Sequence, residues 1–133
     1  MNDVLLERVR ETFGHDRFAT EVTGVEIVDV AENYAKCELA VDARHRNAMG
    51  AVMGGVIFTL ADFCFAVAAN TDKLSVVSIS SSIVYLNAVR GEKLIAEARC
   101  LKSGHKNCFF RVVVCDELGN SVAEVTETGC VVR

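Results

Sequence analysis

A chain of 133 residues with a net charge of −4 has room for one hydrophobic core. It lacks the basic face that a nucleic-acid partner requires. It is 51% hydrophobic with a mean hydropathy of +0.29, rich for so short a soluble chain, which implies that another subunit covers some apolar surface. Met1–Arg8 holds no apolar stretch of leader length, and the uncharged run at residues 47–61 is too short to cross a bilayer, so a cytoplasmic protein with no membrane partner is expected.

In chain order, Leu5, Val9 and Phe13 fall at helical spacing and predict a helix over Asp3–Phe13, with Gly14 as its stop. Two strands are expected next, at 19–30 and 34–41, divided by a turn at Glu32-Asn33. Residues 44–55, with His45, Asn47, Gly50, Gly54 and Gly55, read as a loop. A long helix follows over 54–70. Four strands close the chain at 74–86, 93–102, 107–116 and 121–132, separated by turn signals at Asn87–Gly91, Ser103-Gly104-His105 and Leu118-Gly119-Asn120. The order α-β-β-α-β-β-β-β gives an α+β domain spanning 1–133, one helix covered by an antiparallel sheet of about six strands. The six cysteines lie scattered in apolar segments without CxxC or CxxH spacing. They read as reduced, buried small hydrophobes, with no metal site.

The 54–70 helix carries the functional reading. Between Val56 and Ala69 its polar residues are Thr59 and Asp62, which share a face. A helix apolar all round is buried on all sides, and a buried unpaired carboxylate costs several kcal/mol. Asp62 therefore either meets a cation from a distant strand or caps a backbone group, or it serves as a general base or nucleophile in a semi-apolar cleft. Gly54-Gly55 opens the helix, where unpaired N–H groups favour negative charge and can polarise a carbonyl as an oxyanion hole does; a plain packing turn reads equally well. Gly54 and Asp62 are eight residues, about 12 Å, apart along one helix. For both to act on one bond they must come from different chains, which predicts a homodimer or a dimer of dimers with sites at a two-fold interface.

The segment from Asn47 through Gly50, Met53, Gly54 and Gly55 to Leu60 and Asp62 resembles the signature N-x-x-G-x-x-H-G-G-x-x-x-x-L-x-D of hotdog-fold thioesterases, most closely the phenylacetic-acid-degradation (PaaI-type) group. The likeness extends over almost the whole chain, through Gly24 in an early strand, Gly91 and Gly119. It implies a hotdog fold, in which a curved sheet wraps a central helix, and hydrolysis of an acyl-CoA, with coenzyme A as part of the substrate and no cofactor. Carried over, Asp62 activates water or attacks the carbonyl, Gly54 polarises the thioester oxygen, Asn47 holds thioester or water, and Ser78 supplies a strand hydroxyl that positions water. Alternation of Ser78, Ser80 and Ser82 with their apolar neighbours puts a hydroxyl row on one strand face, which reads equally as a polar outer face.

Met53 stands where the family has His. His45, on the upstream loop, is the nearest substitute, although its spacing also reads as a solvent-exposed histidine. The loss admits a second reading, a non-catalytic acyl-CoA-binding module; a hotdog dehydratase would need a histidine that residues 53–70 lack. Gly55, Met53 and Thr59 are the expected substrate contacts beside the helix. Arg90, Lys102, His105 and Lys106 are candidates for the coenzyme A phosphates, with solvated loop charges as the plainer reading, also for Arg44-His45-Arg46. Phe58, Phe63 and Phe65 read either as an aromatic acyl wall or as core.

Overall fold

The computed structural model describes residues 3–132. Helix α1 (Asp3–Phe13) buries Leu6, Val9 and Phe13 and stops where the Gly14 N–H bonds to the Arg10 carbonyl at 2.9 Å. Residues 19–23, expected to begin a strand, instead belong to a π-helical turn, Phe18–Thr23. Asp16 accounts for it: its Oδ1 accepts the Ala19 N–H at 3.1 Å, and its carbonyl accepts the Thr20 hydroxyl at 2.8 Å. These local bonds outcompete extended backbone. Gly24, expected inside a strand, closes the turn at φ 92°, a left-handed conformation that favours glycine.

Strand β1 (Val25–Ala31) therefore starts late and pairs with β2 (Tyr34–Ala40) through a turn in which Asn33 takes φ 58°. Helix α2 (Gly54–Ala69) is followed by β3 (Val76–Tyr85), β4 (Lys93–Ser103), β5 (Asn107–Asp116) and β6 (Ser121–Val131), all within two residues of expectation. The six strands form one antiparallel sheet in the order β1-β2-β4-β5-β6-β3.

Small residues let the helix lie close to this sheet. Ala35 and Cys37 of β2 and Ala96 and Ala98 of β4 are fully buried, as are Leu60, Cys64, Val67 and Ala68 of α2. Each large apolar side chain so buried contributes about 1.5–3 kcal/mol. The Cys64 thiol donates to the Ala35 and Ala96 carbonyls, stitching the helix to two strands. All six cysteines are free thiols; Cys37, Cys64 and Cys108 are buried as expected, whereas Cys100, Cys115 and Cys130 are only half-buried.

Two surfaces stay uncovered. Helix α2 is not enclosed on every side: Gly55, Thr59, Asp62, Ala66 and Ala69 form a stripe that remains partly open. At the sheet edge, β3 exposes both faces along most of its length, including Val77, Ile79, Val84 and Tyr85. A long exposed edge strand of this kind presents unpaired backbone groups for another chain to pair with.

Candidate active site

Asp62 lies midway along α2, half-buried, in a cleft of about 230 Å³ lined also by Phe58, Thr59, Phe63 and Ala66 of the helix and by Asp16, Phe18 and Ala19. The π-helical turn thus forms the opposite wall. Among the described residues no lysine, arginine or histidine pairs with Asp62. Thr59 commits its hydroxyl to the Gly55 carbonyl one turn back at 2.8 Å, so it borders the carboxylate without bonding to it. Phe63 packs edge-on to Phe13 at 5.8 Å and Phe65 to Phe110 at 5.3 Å. Phe58 and Phe63 reach the cleft; Phe65 is core.

What faces Asp62 is a second carboxyl. Glu127 projects from β6 and is 1% exposed. Burial pushes its carboxyl up to about 7, and the hydrogen bond and negative charge of Asp62 push the same way, against the hydroxyls of Ser81 and Ser78. Its Oε1 accepts from Ser78 at 2.9 Å and from Ser81, and the two hydroxyls lie 3.1 Å apart. Ser78 is therefore brought next to Asp62 by way of Glu127. The hydroxyl row is not Ser78, Ser80 and Ser82. A bulge at Ile79, between the pairs Ser78–Gly129 and Ser80–Thr128, shifts the alternation by one residue and turns Ser81 to the side of Ser78.

Glu127 is the residue that reading the sequence missed. The inward row of β6 runs Ala123, Val125, Glu127, Gly129, all buried. A glutamate in an otherwise apolar period-two row is the signal that marks it.

The other end of α2 holds the glycines. No side chain caps this N-terminus, and Met53 occupies the cap position, 54% exposed. Tyr85 donates its hydroxyl to the Gly54 carbonyl at 3.0 Å, and a Cβ on Gly54 would meet that oxygen at 3.0 Å and ring carbons at 3.1 and 3.3 Å. A side chain here would press on the tyrosine, whose ring would have to give by a few tenths of an ångström. A second cleft of about 390 Å³ opens beside it, lined by Val52, Gly54, Ile57, Tyr85, Asn87 and Val89 among others.

Asn47 is exposed, and its Oδ1 accepts the N–H groups of Met49 (2.9 Å) and Ala51 (3.1 Å). It shapes the loop that leads into α2. His45 is not solvent-exposed. It is 2% exposed, with Nδ1 accepting the Asp42 N–H at 3.0 Å and Nε2 2.7 Å from the Thr23 carbonyl. Both ring nitrogens are occupied in holding the loop against the π-helical turn, so it does not stand in for the missing family histidine.

Arg44 is held by Asp42 and the Val22 carbonyl, and Arg46 by the Gly50 carbonyl. The side chains of Arg90, Lys102, His105 and Lys106 are exposed. Arg90 precedes β4, whereas the other three cluster at the β4–β5 turn, so the length of β4, roughly 30 Å, separates the two groups. The Arg90 loop is pinned by Asp116, which is buried but has the opposite character to Glu127. Burial raises its carboxyl, yet the N–H groups of Arg90, Asn120 and Gly91 and the Asn120 amide outweigh it and hold the group at about 2.

A helix wrapped by one antiparallel sheet, with a carboxylate cleft on the helix, defines the class. The family model of the thioesterase superfamily matches residues 49–123, more than half the chain. A protein of Archaeoglobus fulgidus is 34% identical over 90% of this chain and 78% of its own. The acyl-coenzyme A thioesterase PaaI of Escherichia coli is 28% identical over 75% of this chain and 72% of its own. The solved E. coli PaaI structure shares the fold, with a TM-score of 0.84 over 96% of both chains at 22% identity. A hypothetical thioesterase protein of Streptococcus pneumoniae, solved with coenzyme A, superposes with a TM-score of 0.80 at 25% identity, over 92% of this chain and 95% of its own.

The chain belongs to the thioesterase superfamily and has its hotdog fold, in the PaaI-type group. The matched span includes Gly54, Asp62 and Ser78 and ends before Glu127. No helix among the described residues is long and apolar enough to cross a membrane.

Proposed function

We propose that this protein hydrolyses an acyl-CoA with an aromatic or medium-chain acyl group to the free acid and coenzyme A, without a cofactor. The observation that carries this reading is Asp62, a carboxylate with no cationic partner among the described residues, held in a largely apolar cleft on the open stripe of α2. Acting as general base, Asp62 takes a proton from water as the water oxygen bonds to the thioester carbon; as nucleophile, it bonds to that carbon itself, and water then hydrolyses the resulting mixed anhydride to the free acid and returns the Asp62 carboxylate. In either case the carbonyl oxygen gains negative charge, and the uncapped N–H groups of Gly54 and Gly55 are suited to receive it. The C–S bond then breaks, and the coenzyme A thiolate takes up a proton.

Asp62 and Gly54 of one copy are too far apart to share a carbonyl. The exposed β3 edge answers this. Antiparallel pairing of β3 with its copy about residues 80 and 81 would set the Tyr85 end of one strand beside the Val76 end of the other. That brings the Gly54 terminus of one protomer toward Ser78 and Asp62 of its partner, as a homodimer or the unit of a dimer of dimers. Met53, Gly55 and Thr59 then border the substrate, Asn47 offers its amide, and Arg90 at one end or Lys102, His105 and Lys106 at the other meet the coenzyme A phosphates. Six unpaired thiols fit a reducing cytoplasm.

The test is thiol release over a panel of aromatic and aliphatic acyl-CoAs, with wild type and Asp62→Asn. The variant is expected to lose release while keeping fold and assembly. Full rate in the variant would remove Asp62 from the chemistry, and saturable binding by wild type without release would favour the non-catalytic acyl-CoA-binding module that Met53 admits.

A further inference from the structure

A glutamate in the inward row of β6 is costly to bury as an anion, and no cation among the described residues pairs with it. Its two oxygens are treated differently. Oε1 takes two serine hydroxyls from β3, while Oε2 is buried and, counted as a bare carboxylate oxygen, has no donor. Asp62 is the carboxyl that acts on it by hydrogen bond and by charge, and it is more exposed and open to the cleft. Two carboxyl groups share a hydrogen bond only when one of them carries a proton.

We propose that Glu127 is a positioning residue that carries a proton on Oε2 and donates it as a hydrogen bond to Asp62, fixing the Asp62 carboxylate toward the substrate cleft. Ser78 and Ser81, by both donating to Oε1, leave Oε2 as the protonated oxygen. No bond to Glu127 changes during turnover, and the proton stays where it is. This rests on the reading of Asp62 as the reacting carboxylate.

The surroundings agree. Asp62 on α2 acts on Glu127 by charge and by hydrogen bond, and β3 contributes only the hydroxyls of Ser78 and Ser81. On β5, Phe110 is the direct strand partner of Glu127, and the Cys108 thiol lies beside Gly129. The nearby arginine of β5, Arg111, is paired with Glu124, whose side chain alternates to the other face of β6. Burial dominates, which is why the carboxyl holds its proton up to about 7. Above that point the pair becomes two anions in a buried site, and Asp62 loses both its donor and its orientation.

The test combines side-chain carboxyl titration by 13C NMR with kcat and KM across pH, on wild type, Glu127→Gln, Glu127→Leu and Asp62→Asn. In wild type a buried glutamate signal should titrate near 7, vanish in Glu127→Gln, and move to lower pH in Asp62→Asn. The kcat of wild type should decline above about pH 7. Glu127→Leu should lower kcat about ten- to a hundredfold with KM nearly unchanged, the size expected for a misoriented catalytic group. Glu127→Gln, whose amide donates to Asp62 and whose carbonyl accepts from the serines, should recover most of that loss and abolish the alkaline decline. A wild-type decline persisting in Glu127→Gln, or an undiminished kcat in Glu127→Leu, overturns the proposal. Full activity in Asp62→Asn overturns the reading of the base instead. The NMR titration requires no turnover, and a glutamate signal at its ordinary value overturns proton sharing even if no acyl-CoA in the panel is hydrolysed.

Discussion

Gly129 gives the sharpest test of the packing that sets the distance between helix and sheet. A Cβ there would lie 2.7 Å from Val76 Cγ1, 2.8 Å from Cys108 Sγ and 3.1 Å from Phe65 Cζ. These three atoms belong to β3, β5 and α2, so no single side chain can yield to make room. Inserting one methyl into such a site costs about 1–3 kcal/mol. With an unfolding entropy of roughly 2.1 cal/mol/K per residue, a chain of this length should lose about 3–4 °C per kcal/mol. Gly129→Ala is therefore expected to melt roughly 4–11 °C below wild type, measured by calorimetry at fixed protomer concentration because assembly shifts the midpoint. Val76→Ala should destabilise alone yet partly rescue Gly129→Ala, because it removes the nearest obstacle. A Gly129→Ala midpoint within a degree or so of wild type, or strictly additive effects of the two changes, would refute this account of the packing. The substitution also pushes on the strand that holds Glu127, so kcat should fall along with stability.

Ile79→Lys places a charge on the exposed β3 edge, where Ile79 is 59% exposed. Sedimentation should then report a single protomer of 14.4 kDa and thiol release should disappear, whereas unchanged mass and rate would rule out this edge as the interface. Asp116 is held below its ordinary value of 3.8, at about 2. Its stabilising effect is complete above about pH 4 and is lost as pH falls toward about 2. Thermal melts of wild type should drop across that interval, and Asp116→Asn, less stable at neutral pH, should show a smaller drop; parallel curves would contradict the assignment.

Much of this fold was legible because its elements obey simple periods. Leu5, Val9 and Phe13 mark α1, the apolar block from Val56 to Ala69 marks α2, and glycine or asparagine turns separate the four later strands. The π-helical turn was not legible, because Phe18–Thr23 is β-prone in composition and the side chain and carbonyl of one residue, Asp16, decide otherwise. His45 was misplaced for a related reason: a histidine between two arginines looks solvated, and its burial depends on Thr23, 22 residues away in sequence. In the site, Asp62 declared itself by contrast with its apolar helix. Glu127 escaped notice because β6 carries Glu124 and Glu127 three residues apart, and only strand phase separates the outward one from the inward one.

The irregularity at Ile79 works as a half-step in the strand. Before it, side chains of even number lie on the face that Glu127 shares; after it, those of odd number do. A relative whose β3 lacks the extra residue would therefore present its second hydroxyl two positions after the first instead of three. Aligning such strands residue for residue would match a serine that touches the carboxyl pair with one that faces away, and the spacing of these two hydroxyls, more than their identity, shows whether a chain can hold the pair.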